Sequence, residues 1–214
     1  MEKCEYKGFE ETLTLDRGKS RFDTTLHDLG LARKDLNNKI ILDAGSGPAY
    51  LAEIIEAEAM KEDPEFSAKI FSLDPKYDLK LLESMEKEGK KVRDIDYAKK
   101  AVAKIKEQKL QALSGLCENL PFKNDSVDLV LSYYSVFYYA HEKYKEQFEK
   151  MLKEMIRITK DKGEIRIYPM NSAEQSDSGL VNDILKNEKN IIIDIPKDNE
   201  ELLIIRKNLE KQRD

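Results

Sequence analysis

The sequence predicts an α/β protein built on a doubly wound, mostly parallel seven-stranded sheet with a C-terminal antiparallel hairpin strand. Three observations predict it. Short apolar runs alternate with charged, amphipathic segments along most of the chain. The run Ile40-Ile41-Leu42 leads through Asp43 and Ala44 into two glycines one residue apart, Gly45 and Gly47, and then into a helical segment. Two apolar runs, 191–195 and 201–206, are joined by Pro196-Lys197-Asp198-Asn199-Glu200, a turn-forming stretch. Strands that alternate with helices pair in parallel, and helices then cover both faces of the sheet.

Each element has its own signal. Residues 1–38 are polar apart from a cluster at Leu26, Leu29, Gly30 and Leu31, and form one or two short helices covering the core. The first strand is about 39–43 and the first helix about 49–61, with Asp63-Pro64 as a break. Ala68 to Asp74 is the second strand, and Pro75 follows it. From Leu79 to Lys109 the chain is rich in charge. Ile95, Ala98, Val102 and Ile105 recur there at helical spacing, so 76–110 reads as an extended helical crossover.

Leu110–Leu113 is a short third strand and Gly115–Phe122 a loop. Ser126–Ser132 is the fourth strand. A helix at about 144–159 buries Phe148, Met151, Leu152, Met155 and Ile156. Lys162-Gly163 turns the chain into a fifth strand, Glu164–Pro169, and a short helix near 179–187 precedes the hairpin. The chain is expected to be one domain, 1–214, with its core at 39–206.

Composition narrows the function. At 214 residues, 40% apolar and 37% charged, the chain is neither disordered nor a membrane span, and its N-terminus lacks an apolar signal core. A cytoplasmic location is expected. Cys4 and Cys117 are isolated, which suggests no metal site and no disulfide framework. A formal charge of −5 gives no overall attraction to nucleic acid. The segment Lys80–Lys109 is the one local exception, with ten basic and six acidic residues. It is expected to be a solvated helix flank, with a nucleic-acid or protein acceptor, a lid or a homodimer contact as alternatives.

The glycine loop carries most of the chemical information. Glycines after a buried strand let a ligand approach the backbone, and the helix that follows offers unpaired N–H groups. A dinucleotide site wants a third glycine where Tyr50 stands, and Asp43 would repel a diphosphate, so a nicotinamide-dependent oxidoreductase fits less well. An acid in front of the loop suits a cation: an ammonium or a sulfonium, beside an uncharged ribose. S-adenosylmethionine carries those groups. Asp74 closes the second strand at the same edge, where its carboxylate can accept both ribose hydroxyls.

With these residues in place, the stretch from about Ile40 to Tyr168 resembles the class I S-adenosylmethionine-dependent methyltransferases, which have a Rossmann-like fold. The matching parts are Asp43-Ala44-Gly45-Ser46-Gly47, with Ala49 at the family's usual third glycine, and Asp74 after the second strand. Gly115–Phe122 with Asn124–Val130, and Glu154-x-x-Arg157-x-x-Lys160-x-x-Gly163, complete the ordered set.

The resemblance implies a cofactor site of Asp43, Ala44, Gly45, Ser46, Gly47, Asp74, Pro75, Leu116, Cys117 and Ser132. Gly45 and Gly47 would pass under the ribose and methionine portion, and Asp74 would bind the ribose. The backbone at Leu116 and Cys117 would meet adenine, and Ser132 would lie near the methyl. Many relatives have an Asp where Leu116 stands, so Glu118 or backbone and apolar contact would hold the adenine here.

No catalytic residue is assigned. His141, just past the fourth strand, is a candidate general base but more simply a surface or capping residue, and His27 is weaker. Of the aromatics at 133, 134, 137, 138 and 139, most are expected to pack and one or two to face the acceptor. The lack of Asn-Pro-Pro-Tyr after the fourth strand speaks against an amide or adenine-amino acceptor. A small-molecule acceptor is slightly preferred. The alternative is a non-catalytic cofactor-binding or scaffold protein of the same fold.

Overall fold

A computed structural model describes residues 18–47, 49–55, 65–78, 110–139, 144–170 and 176–208, together with 80, 83–84, 87, 99, 102–103 and 105–107. The elements are α1 (Gly18–Asp28), β1 (Lys39–Ala44), α2 (Tyr50–Ile54), β2 (Ala68–Leu73), β3 (Ala112–Leu113) and β4 (Val127–Tyr133). They continue as α3 (Lys145–Ile158), β5 (Thr159–Tyr168), α4 (Ser176–Leu185), β6 (Ile191–Asp194) and β7 (Leu203–Lys207).

The seven strands form one sheet in the order β3-β2-β1-β4-β5-β7-β6. β1 pairs in parallel with both β2 and β4, so the order reverses at the β1–β4 seam. Ligands in such sheets bind beyond the C-terminal strand ends at that reversal. β7 runs antiparallel to both β5 and β6. The hairpin expected from the sequence therefore lies with its second strand inserted against β5.

The alternation of β1 explains its burial. Ile41 packs with residues in and directly after α1 and α2, such as Leu29, Ala52 and Ile55, while Leu42 packs with Phe148, Leu152 and Met155 of α3. Successive side chains of a strand point to opposite faces, so one apolar run serves both layers. The apolar cluster read at the N-terminal side of the chain (Leu26, Leu29, Leu31) is part of the first layer. Phe148 is fully buried, worth roughly 1.5–3 kcal/mol over an exposed ring.

Two elements differ from their sequence signals. β5 begins at Thr159, directly after α3, rather than at Glu164. Its pairing with β4 steps from Val127–Thr159 to Leu129–Glu164, so three extra residues bulge between them. Lys162 takes a left-handed φ of 62° in that bulge. A Cβ on Gly163 would come within 3.0 Å of Asp128 O, which is why a small residue stands there. The Lys162-Gly163 turn is thus an irregularity inside a strand. α4, for its part, begins at Ser176, three residues earlier than expected. Of the expected 76–110 crossover only short pieces lie among the described residues, and there Val102 and Ile105 are buried.

α3 also fixes the loop ahead of β4. Glu154 Oε2 accepts from Leu120 N at 2.8 Å. Arg157 donates from Nη1 to Phe122 O at 2.8 Å and Asn124 Oδ1 at 2.9 Å, and from Nη2 to Leu120 O at 3.0 Å. Its Nε is 2.7 Å from Glu154 Oε1. Arg157→Ala should lower stability by about 1–3 kcal/mol, because several loop acceptors lose a charged partner together. Arg157→Lys should recover only part, since an ammonium cannot span the same fork. Urea unfolding midpoints of the three proteins check this.

Candidate functional site

The C-terminal ends of β1 and β2 bring together the first group of residues singled out in the sequence. Asp43 pairs in register with Ser72, and Ala44 with Leu73, so Asp43 and Asp74 finish adjacent strands. Both carboxylates are buried, at 4% and 7% exposure. Asp74 Oδ2 accepts from Gly47 N at 3.0 Å. Leu73 O accepts from Gly45 N at 2.8 Å and from Ser46 N at 3.1 Å. The loop is therefore tied to β2 at three points.

Its backbone explains its composition. Gly45, Gly47 and Ala49 have φ of 74°, 52° and 58°, all left-handed. Glycine adopts that region without cost, whereas an alanine pays about 1–2 kcal/mol. The third left-handed position is thus kept even though its residue is alanine. Gly45 also has no room for a side chain, since a Cβ there would lie 1.6 Å from Ser135 Oγ and 2.5 Å from Ser135 Cβ. Gly47 is the opposite case: a Cβ would meet nothing within 4 Å, so the loop opens there.

Electrostatics give this corner its character. Burial, and then the neighbouring Asp74, push the Asp43 carboxyl up from 3.8 to about 7. Cys117 is raised to about 12 by burial, then Glu118, Asp74 and Asp43. The Gly115–Phe122 loop therefore stands within electrostatic reach of the two aspartates. Two buried acids side by side disfavour their own ionisation, and a cation between them relieves both. Together with the open backbone at Gly47, these carboxylate acceptors fit a cationic, ribose-bearing cofactor.

The remaining predicted residues are less uniform. Ser46 Oγ shares a 2.8 Å hydrogen bond with Tyr77 Oη. Pro75 opens a single 3-10 turn, Pro75–Tyr77, behind Asp74. Leu116 is 55% exposed at the loop surface, and Glu118 Oε2 is buried with no hydrogen-bond partner. Ser132 is fully buried, and its Oγ accepts from Val136 N at 3.0 Å. That hydroxyl shapes the turn after β4. His141 lies outside the described residues, and His27 sits at the end of α1 with its side chain 88% exposed.

Sequence reasoning missed two contributors. Tyr77 bonds to the glycine loop from the β2 side, and Ser135 presses on Gly45 from the β4 side. Neither carries a motif, because each acts through a contact made only in the folded sheet. Among the described residues no group of His, Cys, Asp and Glu could hold a metal, and no helix is long and apolar enough to cross a membrane.

Comparison with known proteins agrees with this architecture. Residues 79–167 match the sequence model of a methyltransferase domain. A protein of Methanococcus maripaludis, designated a candidate S-adenosyl-L-methionine-dependent methyltransferase, superposes with a TM-score of 0.59 at 16% identity, over 91% of this chain and 86% of that one. Magnesium protoporphyrin IX methyltransferase from Synechocystis, solved with bound S-adenosylmethionine, gives 0.52 at 13% identity, over 88% and 79%. An S-adenosylmethionine-dependent methyltransferase from Aquifex aeolicus gives 0.50 at 14%, over 86% and 87%. No curated protein matches the sequence.

The chain thus has the class I methyltransferase fold, an α/β Rossmann-like sheet that is parallel except for its C-terminal hairpin.

Two outcomes follow from the loop. Gly45→Ala should destabilise the protein by at least about 1–2 kcal/mol, from the left-handed backbone alone. Ser135→Gly should recover part of any further loss, because it removes the atoms the new methyl strikes; thermal unfolding of the double-mutant cycle reads this coupling. For Asp43 the folded pKa is raised, so the native state holds its proton longer than the unfolded chain. Stability should therefore fall as pH rises from about 4 to about 7, by up to about 4 kcal/mol, then level off. Asp43→Asn should flatten that slope in unfolding titrations across the same range.

Proposed function

We propose that this protein transfers a methyl group from S-adenosylmethionine to a small-molecule acceptor. The observation that carries the reading is the pair of buried carboxylates, Asp43 and Asp74, on either side of a left-handed loop at the sheet's reversal point. Asp43 would face the cationic end of the cofactor. Asp74, already bonded to Gly47 N, would also accept ribose hydroxyls, since a carboxylate has about four acceptor positions. Gly47 supplies the open backbone along which the ligand passes. The Leu116–Cys117 backbone would border the adenine.

The cofactor when bound supplies a methyl on an activated sulfonium, so the protein's task is chiefly alignment. Holding two reactants in line contributes about 7–11 kcal/mol. The Ser132–Val136 turn, wedged against Gly45 by Ser135, would fix the acceptor side relative to the donor side. A small acceptor is favoured over nucleic acid because Asp28, Asp43, Asp74 and Glu201 lie at or beside the C-terminal strand ends. A row of carboxylates repels phosphates.

A second reading, a cofactor-binding protein without transfer activity, draws support from Leu116, which offers the adenine amino group no acceptor. Binding without turnover over a broad acceptor panel would favour it. Isothermal titration with S-adenosylhomocysteine tests what both readings share. Asp74→Ala should weaken binding about 30- to 100-fold, the cost of hydrogen bonds to a charged group. No binding by the wild-type chain at about millimolar ligand, an affinity weaker than about −4 kcal/mol, would sink the cofactor assignment.

A further inference from the structure

The last residues of β4 and β5, Tyr133 and Tyr168, are partners in the sheet. Their rings stack with centroids 5.6 Å apart and planes at 13°. Tyr134 stands edge-on to both, at 4.8 Å and 5.7 Å. We propose that Tyr134, standing on this pair, forms the acceptor subsite, and that it takes a ring-bearing small amine without negative charge. The amine is bound as its ammonium and attacks as the free amine once solvent has taken the proton, the N–C bond forming as the S–C bond of the cofactor breaks. The inference rests on the cofactor reading above and names the acceptor class for it.

Position is the first argument. Tyr134 directly precedes Ser135, whose Cβ and Oγ press on Gly45 of the proposed cofactor loop. Tyr77 bonds to the loop from the β2 side, and Tyr134 is the exposed aromatic that adjoins it from the β4 side.

Conformation is the second. Tyr134 is 37% exposed and sits at a φ of 51°. A bulky side chain in the left-handed region is unfavourable, and persists only where its surroundings hold it. Here Tyr134 N donates to Tyr168 O at 2.6 Å. The backbone there is thus held in a conformation it does not prefer, with the ring partly exposed.

Charge is the third. Tyr133 Oη donates to Asp28 Oδ2 at 2.7 Å and Tyr168 Oη to Glu201 Oε2 at 2.9 Å. Both hydroxyls are committed to carboxylates, so the platform is aromatic surface backed by negative charge. Donation to a carboxylate makes each ring richer in electrons, and ring faces of that kind attract cations. An anionic acceptor would face Asp28 and Glu201 here and Asp43 and Asp74 on the donor side.

The test uses the whole chain saturated with S-adenosylhomocysteine and three probes titrated by NMR: 2-phenylethylamine, 3-phenylpropanoate and n-butylamine. The aromatic amine should bind about three- to tenfold more tightly than 3-phenylpropanoate, because only the ammonium is attracted to the ring face, and by a similar factor over n-butylamine, because only the aromatic amine also packs its ring on Tyr134. Tyr134→Leu should erase that preference and Tyr134→Phe should keep it, with S-adenosylhomocysteine affinity in both within about twofold of wild type. Equal or tighter binding of phenylpropanoate overturns the inference, as does absence of any preference for the aromatic amine. An unchanged preference in Tyr134→Leu overturns it too. The wild-type comparison stands even if a variant fails to fold. Failure of the wild type to bind S-adenosylhomocysteine removes the cofactor reading and this inference together. Binding it without selecting the aromatic amine removes this inference alone.

Discussion

Two buried carboxylates at the ends of adjacent parallel strands are the constraint on which this structure turns. The parallel register of β1 with β2 brings Asp43, within the ladder, beside Asp74, which directly follows it and whose N–H is held by Leu113 O. Burial and mutual repulsion raise Asp43 to about 7, so the apo protein holds part of its stability hostage at neutral pH. A cation entering the corner relieves this. Perturbed carboxylates of this kind cluster at functional sites, which is the ground of the cofactor proposal.

The loop between the two acids shows what was legible in the sequence. Two glycines and a preceding acid marked the corner, and the structure places left-handed residues at 45 and 47. The third left-handed position, Ala49, was legible only as a missing glycine. The backbone is set by the turn that leads from β1 into α2, and the fully buried Ala49 packs with Leu51 and Ile55. A methyl in the core offsets part of the cost of its φ, because burying one carbon is worth about 0.8 kcal/mol. The parallel pairing at the centre of the sheet was legible too, since strands that alternate with helices leave few other solutions.

What was hidden depends on contacts between distant residues. Nothing in the string says that Ser135 stands against Gly45, or that Tyr77 bonds to Ser46. Both residues reach the loop from strands that flank β1, and neighbours across a parallel sheet lie tens of residues apart in sequence. The extended start of β5 was hidden for a related reason. Its first residues read as a turn because Lys162 and Gly163 are turn formers, yet the ladder with β4 resumes beyond them. That Ser132 Oγ accepts from Val136 N within the fold was likewise not legible.

That hydroxyl has a consequence for how the two halves of the site are coupled. Ser132 Oγ fixes Val136, Tyr134 N is fixed to Tyr168 O, and Ser135 between them abuts Gly45. Residues 132–136 are thus held at three points, to their own strand, to β5 and to the glycine loop. A site built this way inherits the rigidity of strand ends. Alignment is what the chemistry needs most, and a misplacement of about 1 Å can cost about 100-fold in rate. In the proposed transfer, a turn fixed to both strands and to the loop would make the distance between donor and acceptor a property of the sheet itself. The residues free to vary around that distance are the exposed ones, which is where specificity can change without disturbing the frame.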